Sequence, residues 1–125
     1  MIEQYLFIFL DNLLGGVEIH PQELPASANF PALSFELSNR DFDIPVSGSG
    51  ITYSEFEISC YSSSIEEAQE LGNQVIESLQ NFKGDMNGRH ITLARITNVF
   101  DTREPETGAY VRHLTLSINN SPDEV

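Results

Sequence analysis

Apolar residues recur along this chain with two different periods. Ile2, Leu6, Phe9, Leu10, Leu13 and Leu14 stand mostly three and four apart, and Gly15-Gly16 follow them. That spacing gives a helix one broad apolar face, and glycine suits its C-terminal stop, so a helix is predicted over residues 2–14. Val17–His20 allows a short extra strand, and Pro21 to Pro25 is a polar connection. In Phe30–Leu37, Leu33, Phe35 and Leu37 alternate with Ser34 and Glu36, the pattern of a half-buried strand. Pro31 stands at its beginning, where a missing N–H is tolerated. Ser38–Gly50 then reads as a long loop with Asp41, Asp43, Pro45 and a Gly-Ser-Gly tail.

The two periods meet between Ile51 and Phe82. Phe56, Ile58 and Cys60 point one way, and Glu55, Glu57 and Ser59 the other. A slip of one residue would bury the glutamates, so the register is well specified. Ser64 and Glu67 form a capping box: the hydroxyl accepts an orphan N–H and the glutamate reaches back. Ile65, Ala68, Leu71, Gly72, Val75, Ile76, Leu79 and Phe82 then line one stripe, predicting a helix over residues 64–82. Gly72 costs helicity and suits close packing against a sheet. Glu66, Glu70, Asn73, Glu77 and Gln80 make the wet face, and Lys83-Gly84 end the helix.

Asp85–Gly88 reads as a turn. His90–Phe100 and Tyr110–Asn119 read as strands joined by the polar loop 101–109, together a C-terminal hairpin over 90–119. Leu114, Leu116 and Ile118 face inward, and a change of parity between Leu93 and Ile96 suggests a bulge. Residues 120–125 form an acidic tail. The expected fold is α+β: an antiparallel sheet of about four strands, with two helices on one face, in the order α-β-β-α-β-β. The 125 residues make one domain, with strand-loop-strand over 30–61 between the helices, and about two-thirds of the unfolded surface of such a chain is buried on folding.

Charge changes the picture. Nineteen acidic residues face six basic ones, a formal net charge of −13. Such a surface repels phosphates, which argues against a DNA-binding role. Three readings survive: solubility, a partner with a basic face, or a surface that lies close to DNA without holding it. The apolar run Tyr5–Leu10 is short, follows Glu3 and is interrupted by Asp11 and Asn12, so neither a secretory signal nor a membrane span is expected. The expectation is a soluble, unexported protein.

Reactive chemistry is absent from the pattern. Cys60 is the only cysteine, so no intramolecular disulfide forms, and its inward position makes it a small buried hydrophobe. His20, His90 and His113 have no partner at metal-ligand spacing. Gly48-Ser49-Gly50 precedes a strand and cannot cradle a phosphate at a helix N-terminus. Asp41 and Asp43 could bind a divalent cation weakly, without the ligand pattern of an EF-hand. No enzyme activity, metal or cofactor is expected. Arg40, Arg95, Arg103 and Arg112 stand out on so acidic a chain. Either they pair within the molecule or they reach an acidic patch on a neighbouring copy.

Phe30-Pro31-Ala32-Leu33-Ser34-Phe35-Glu36, a long loop ending in Gly50, Phe56-Glu57-Ile58-Ser59-Cys60-Tyr61-Ser62, and the capped helix with Glu67-Ala68 and Val75…Leu79 resemble the tail-completion (tail terminator) proteins of long-tailed bacteriophages. The resemblance runs from about His20 to Asn119. It implies an α+β subunit of a homo-oligomeric ring, commonly a hexamer, that caps the tail tube, ends its polymerisation and joins a head-connector or neck protein. It further implies assembly in the host cytoplasm and residence in the virion, with DNA passing through without being specifically bound, and no membrane. A negative lumen would suit such passage. The family has no catalytic residues to carry over. Arg40, Asp41, Asp43, Glu55, Glu57, Arg103, Glu104 and Arg112 are the candidate inter-subunit or channel contacts, with Glu66 and Glu70 beside them. The alternative function is an acidic DNA mimic that inhibits a nuclease or a DNA-binding protein.

Overall fold

The structure is a computed structural model that describes residues 2–22, 29–42, 52–105 and 107–120, with side chains through Asn39 in the second stretch. Helix α1 (Ile2–Leu13) leads into strands β1 (Glu18–Pro21), β2 (Ala32–Phe42) and β3 (Thr52–Ser62). Helix α2 (Ile65–Leu79) follows, then β4 (Phe82–Met86), β5 (Arg89–Arg103) and β6 (Tyr110–Asn120). The strands form one six-stranded sheet in the order β1-β2-β3-β6-β5-β4. The α+β class and the antiparallel centre are as expected. The strand number is six: β1 is the short extra strand that Val17–His20 allowed, β4 is added at the other edge without having been expected, and β1 runs parallel to β2, so the sheet is mixed.

Both helices lie on one face. The α2 stripe buries Ala68, Leu71, Gly72, Val75 and Leu79 over β3, β6 and β5. Helix α1 buries Ile2, Leu6 and Leu10, and its Phe7 ring lies 6.5 Å from that of Phe35. It touches both edge strands, β1 and β4, which requires the sheet to curl around it. Phe56, Ile58, Cys60, Leu114, Leu116 and Ile118 are fully buried beneath the helices. Full burial of each larger apolar side chain contributes roughly 1.5–3 kcal/mol.

Local chemistry explains where the elements differ from expectation. Helix α2 ends at Leu79, not at residue 82, because Asn81 takes a left-handed φ of 60° and turns Phe82 into β4. There Phe82 packs edge-on against Phe9, with ring centroids 5.6 Å apart. Asn87 and Gly88 both have positive φ, 50° and 98°, the geometry of the tight turns that join hairpin strands, so Asp85–Gly88 is half strand and half turn. The expected long loop after Leu37 is shorter, because Asn39 to Phe42 continue β2 and pair with Glu55 to Thr52. Leu37 keeps the inward parity, as register partner of the fully buried Phe56, yet is 36% exposed, while Ser34 is buried; a register shift follows between Leu37 and Asn39. In β5 the shifts lie between Ile91 and Leu93 and between Ile96 and Asn98, on either side of the predicted position.

At the start of α2, the Ser64 hydroxyl accepts the Glu67 N–H at 3.2 Å, as predicted. The returning arm differs. Glu67 Oε1 accepts from the Ser62 hydroxyl at 2.6 Å, and Ser62 Oγ accepts the Ser64 N–H at 3.4 Å. The cap is thus relayed through the last residue of β3, which fixes the angle between strand and helix.

Candidate functional site

The face of the sheet opposite the helices is its open side, and strand register dictates what it displays. Glu18 and His20 of β1 stand beside Ala32 and Ser34 of β2. Ala32, Ser34 and Glu36 pair with Tyr61, Ser59 and Glu57 of β3. Tyr61, Ser59, Glu57 and Glu55 in turn pair with Val111, His113, Thr115 and Ser117 of β6. Phe100 and Thr102 of β5 complete this face beside His113 and Val111.

One end of the face is aromatic. Phe30 stacks on Tyr61 with centroids 6.4 Å apart and planes 5° from parallel. His113 stacks on Phe100 at 4.6 Å. Its Nδ1 lies 3.2 Å from Ser59 Oγ and its Nε2 2.7 Å from Thr102 Oγ1. Burial holds the His113 pKa below the usual histidine value, while Glu57 and Asp101 pull against that shift. The ring is thereby fixed between two hydroxyls and a phenyl face.

The centre of the face is acidic. Glu36 and Glu57 are direct register partners, and like charges facing across strands are unfavourable. Thr115 donates to Glu57 Oε2 at 3.3 Å, and Tyr53 donates to Glu55 Oε2 at 2.9 Å. Arg95 stands two strands from Glu55, across Ser117. At the β1 edge, Asn29 N–H and His20 both bond to Glu18, holding its carboxyl below the usual range.

The helix side carries a different cluster. Arg112 faces α2 as the register partner of Cys60. Its Nε and Nη2 donate to the two carboxylate oxygens of Asp101, at 2.7 and 3.0 Å, and its Nη1 donates to Asn73 at 2.9 Å. Gln69 donates to Asp101 as well, at 3.1 Å. The bond from Arg112 holds the Asp101 pKa down, and Asp101 raises that of Arg112. The Arg112 stem runs over Gly72, where an added Cβ would lie 2.5 Å from Cδ. Of the two readings open for the arginines, pairing within the molecule is the one found for Arg112.

The other sequence candidates are dispersed. Arg103 lies near the tip of the β5–β6 hairpin, 5.4 Å over the Tyr110 ring, with Glu104 at the loop that follows. Glu55 and Glu57 come together on the open face; Glu66 and Glu70 lie on the outer side of α2 in a shallow polar groove with Gln69, Asn73, Gln74 and Glu77. Arg40 and Asp41 have their backbone in β2, opposite Ser54 and Tyr53, and their side chains are outside the described residues, as is all of Asp43. Asp41 is thus a strand residue and not part of a loop with Asp43. Among the described residues no group of three or more His, Cys, Asp or Glu side chains is placed to hold a metal, and no helix is long and apolar enough to cross a membrane.

Sequence reasoning missed the free length of β5. Strand β4 pairs with β5 only as far as Ala94. At Ile96 the side chain of Gln80 substitutes for a strand: its Oε1 accepts the Ile96 N–H at 2.6 Å and its Nε2 donates to the Ile96 carbonyl at 3.4 Å. From Thr97 to Arg103 every residue is exposed, including Val99 at 40% and Phe100 at 47%. The signal was present in the sequence, since Thr97–Arg103 contains neither the proline nor the lysine that commonly protects a strand edge.

Comparison with curated protein sequences found no match. Among solved structures, one chain from the "virion of native gene transfer agent (GTA) particle" is similar, with a TM-score of 0.63 and 13% sequence identity over 90% of this chain and 84% of that one. At that identity the likeness is one of fold. The sequence profile of one family matches residues 10–119, nearly the whole chain and close to the stretch that carried the resemblance read from the sequence. With helix, cap, sheet and hairpin all inside the matched span, this chain belongs to the family described as tail completion protein gp17.

Proposed function

We propose that this protein is a non-enzymatic structural component of a phage-type virion that ends tail-tube polymerisation, forming a homo-oligomeric ring at the junction of tail and head. The observation that carries this reading is the family match over residues 10–119. The fold shared with a chain of a gene transfer agent virion is consistent with it. The ring would contact the tail-tube protein on one side and a head-connector or neck protein on the other. With a net charge of −13, acidic side chains facing a lumen would let DNA pass without retaining it. The DNA-mimic alternative draws only on that same net charge.

Deleting the gene from its phage tests the reading. Electron micrographs of the lysate should show tails of uncontrolled length separate from filled heads, and supplying the protein in trans should restore tails of one length. Tails of normal length on intact particles in the deletion strain would refute the tube-ending role.

A further inference from the structure

Two short strands cover the sheet edges only in part, and each cover ends on a glutamine. Strand β1 pairs with β2 from Ala32 to Phe35, where the Gln22 N–H closes it on the Phe35 carbonyl at 2.6 Å. Strand β4 pairs with β5 as far as Ala94, and the Gln80 side chain closes it at Ile96. Beyond these points, among the described residues, no strand pairs with the outer edge of β2 over residues 36–42 or of β5 over residues 97–103. The open lengths are equal, seven residues each. At the end of β5 the Glu104 N–H bonds to the Ala109 carbonyl. By the alternation of an antiparallel ladder, Val99, Asp101 and Arg103 then point their backbone N–H and C=O groups away from β6.

Register sets the two open lengths at diagonal corners of the sheet. Glu36 pairs with Glu57, Glu57 with Thr115 and Thr115 with Asn98, one row across four strands. The open length of β2 runs to one side of that row and the open length of β5 to the other. Antiparallel pairings of β2 with β3, β3 with β6 and β6 with β5 make β5 run opposite to β2. A second copy in the same orientation, displaced by about five to six residues or roughly 18 Å, brings its β2 edge antiparallel against the β5 edge of the first. The steps left by β1 and β4 then interlock, each lying beyond the end of the neighbour's open strand. Four strands advance the sheet by about 19 Å per copy. This stagger tilts the strands by roughly 45°, close to the tilt at which a sheet closes on itself.

Curl favours the same junction. Helix α1 touches both β1 and β4, so the two covered corners bend toward the helices. A twisted sheet is saddle-shaped, and its other diagonal bends the opposite way. The open corners therefore bend away from the helices.

We infer that the open β5 edge of one copy pairs antiparallel with the open β2 edge of the next, continuing one sheet around a ring with the helices outside and the open face lining the lumen. A second copy is the occupant because the chain supplies both edges, equal in length, opposite in direction and interlocking in position. The two edges differ, so the contact is head-to-tail, the kind that closes into rings. Leu37 and Val99 are inward by parity yet 36% and 40% exposed; they lie on these edges and gain cover from the neighbouring sheet. The inference rests on the proposal that copies form a ring, and it names the contact and the face turned inward.

Cross-linking tests it. Leu37→Cys with Arg103→Cys, treated with a short bismaleimide in assembled particles and as concentrated pure protein, should give a ladder of covalent multimers. Within one chain the two positions are separated by three strand spacings and about six residues of rise, roughly 24 Å. The native Cys60 is buried. Each single-cysteine protein should stay monomeric. No ladder in either setting, dimers from Arg103→Cys alone, or a product joined to a different virion protein would each overturn the inference.

Proline separates backbone pairing from side-chain contact. Supplied in trans to the deletion strain, Val99→Pro removes an outward N–H and should abolish the ladder and fail to restore tails of one length. Val99→Thr keeps that N–H and should restore both. Arg103→Pro, at the strand end, replaces Val99→Pro should the latter lower the melting temperature. A ladder that persists in both proline variants would overturn the pairing. Tails of normal length in the deletion strain would instead remove the tube-ending role, and the ladder on the pure protein would still decide the pairing.

Discussion

Gly72 and Arg112 occupy the same space by turns: the absent Cβ of the glycine is where the arginine stem runs, 2.5 Å from Cδ and 2.8 Å from Cγ. The stem cannot simply swing aside, because its guanidinium is held by Asp101 and Asn73. Alanine in place of a mid-helix glycine ordinarily gains about 1 kcal/mol. Here Gly72→Ala should lower the melting temperature, since the methyl must displace Arg112 from its three bonds. In an Arg112→Ala background the same substitution should raise it. A thermal double-mutant cycle reads this change of sign directly; additive effects would contradict the geometry.

Gln80 completes the β5 edge where β4 has ended, so Gln80→Ala leaves the Ile96 N–H without its 2.6 Å acceptor. The expected cost is about 1–2 kcal/mol, the range for stranding a partly buried donor. Gln80→Glu keeps the acceptor but turns the donor into a charged oxygen that faces the Ile96 carbonyl, so it should recover little of the loss. Urea titration of the two variants would rank them.

Both features also mark what was legible in advance. Gly72 announced a close approach to the sheet, and the alternation of Phe56, Ile58 and Cys60 gave β3 and its buried face. Leu114, Leu116 and Ile118 did the same for β6. Strand β4 was hidden because Phe82 continues the apolar period of α2, and only the left-handed turn at Asn81 removes it from the helix. Leu37 keeps the parity that the alternation gives and pairs with buried Phe56, yet is 36% exposed, and the alternation does not encode how far the cover of that face reaches. The candidate surface was legible only in part. Glu55 and Glu57 were placed on the outward face, but their meeting with Glu36 depends on the pairing of β2 with β3. The engagement of Arg112 by Asp101 depends on the pairing of β5 with β6, which brings together residues 11 positions apart.

The His113 ring should make stability depend on pH. Its pKa is lowered in the fold, chiefly by burial, so below the ordinary value of 6.5 the unfolded chain binds the proton more readily. Stability should therefore fall as the pH drops from about 7 to 5. His113→Gln should flatten that fall, and a pH series of chemical denaturation on both proteins checks it. At lower pH Asp101 adds a second loss: its depressed pKa makes its contribution present above the ordinary value of 3.8 and lost as the pH falls through the lower folded value.

Cys60 is buried between the sheet and α2, and burial pushes its thiol up to about 12, against a smaller opposing pull from Arg112. In the native protein it should resist iodoacetamide and aromatic disulfides at neutral pH, and react at the rate of a free thiol only after unfolding. Rapid labelling of the native chain would mean that the α2–sheet interface opens.

Helix α1 touches β1 and β4, strands at opposite edges of the sheet and far apart in the sequence. Helix α1 therefore cannot find its full seat until the chain beyond Met86 has been made and β4 has paired with β5. During synthesis its apolar face, Ile2, Leu6 and Leu10, waits for partners supplied late in translation. Long-range contacts of this kind slow folding, and they make the N-terminal helix the closing piece of the domain rather than its nucleus.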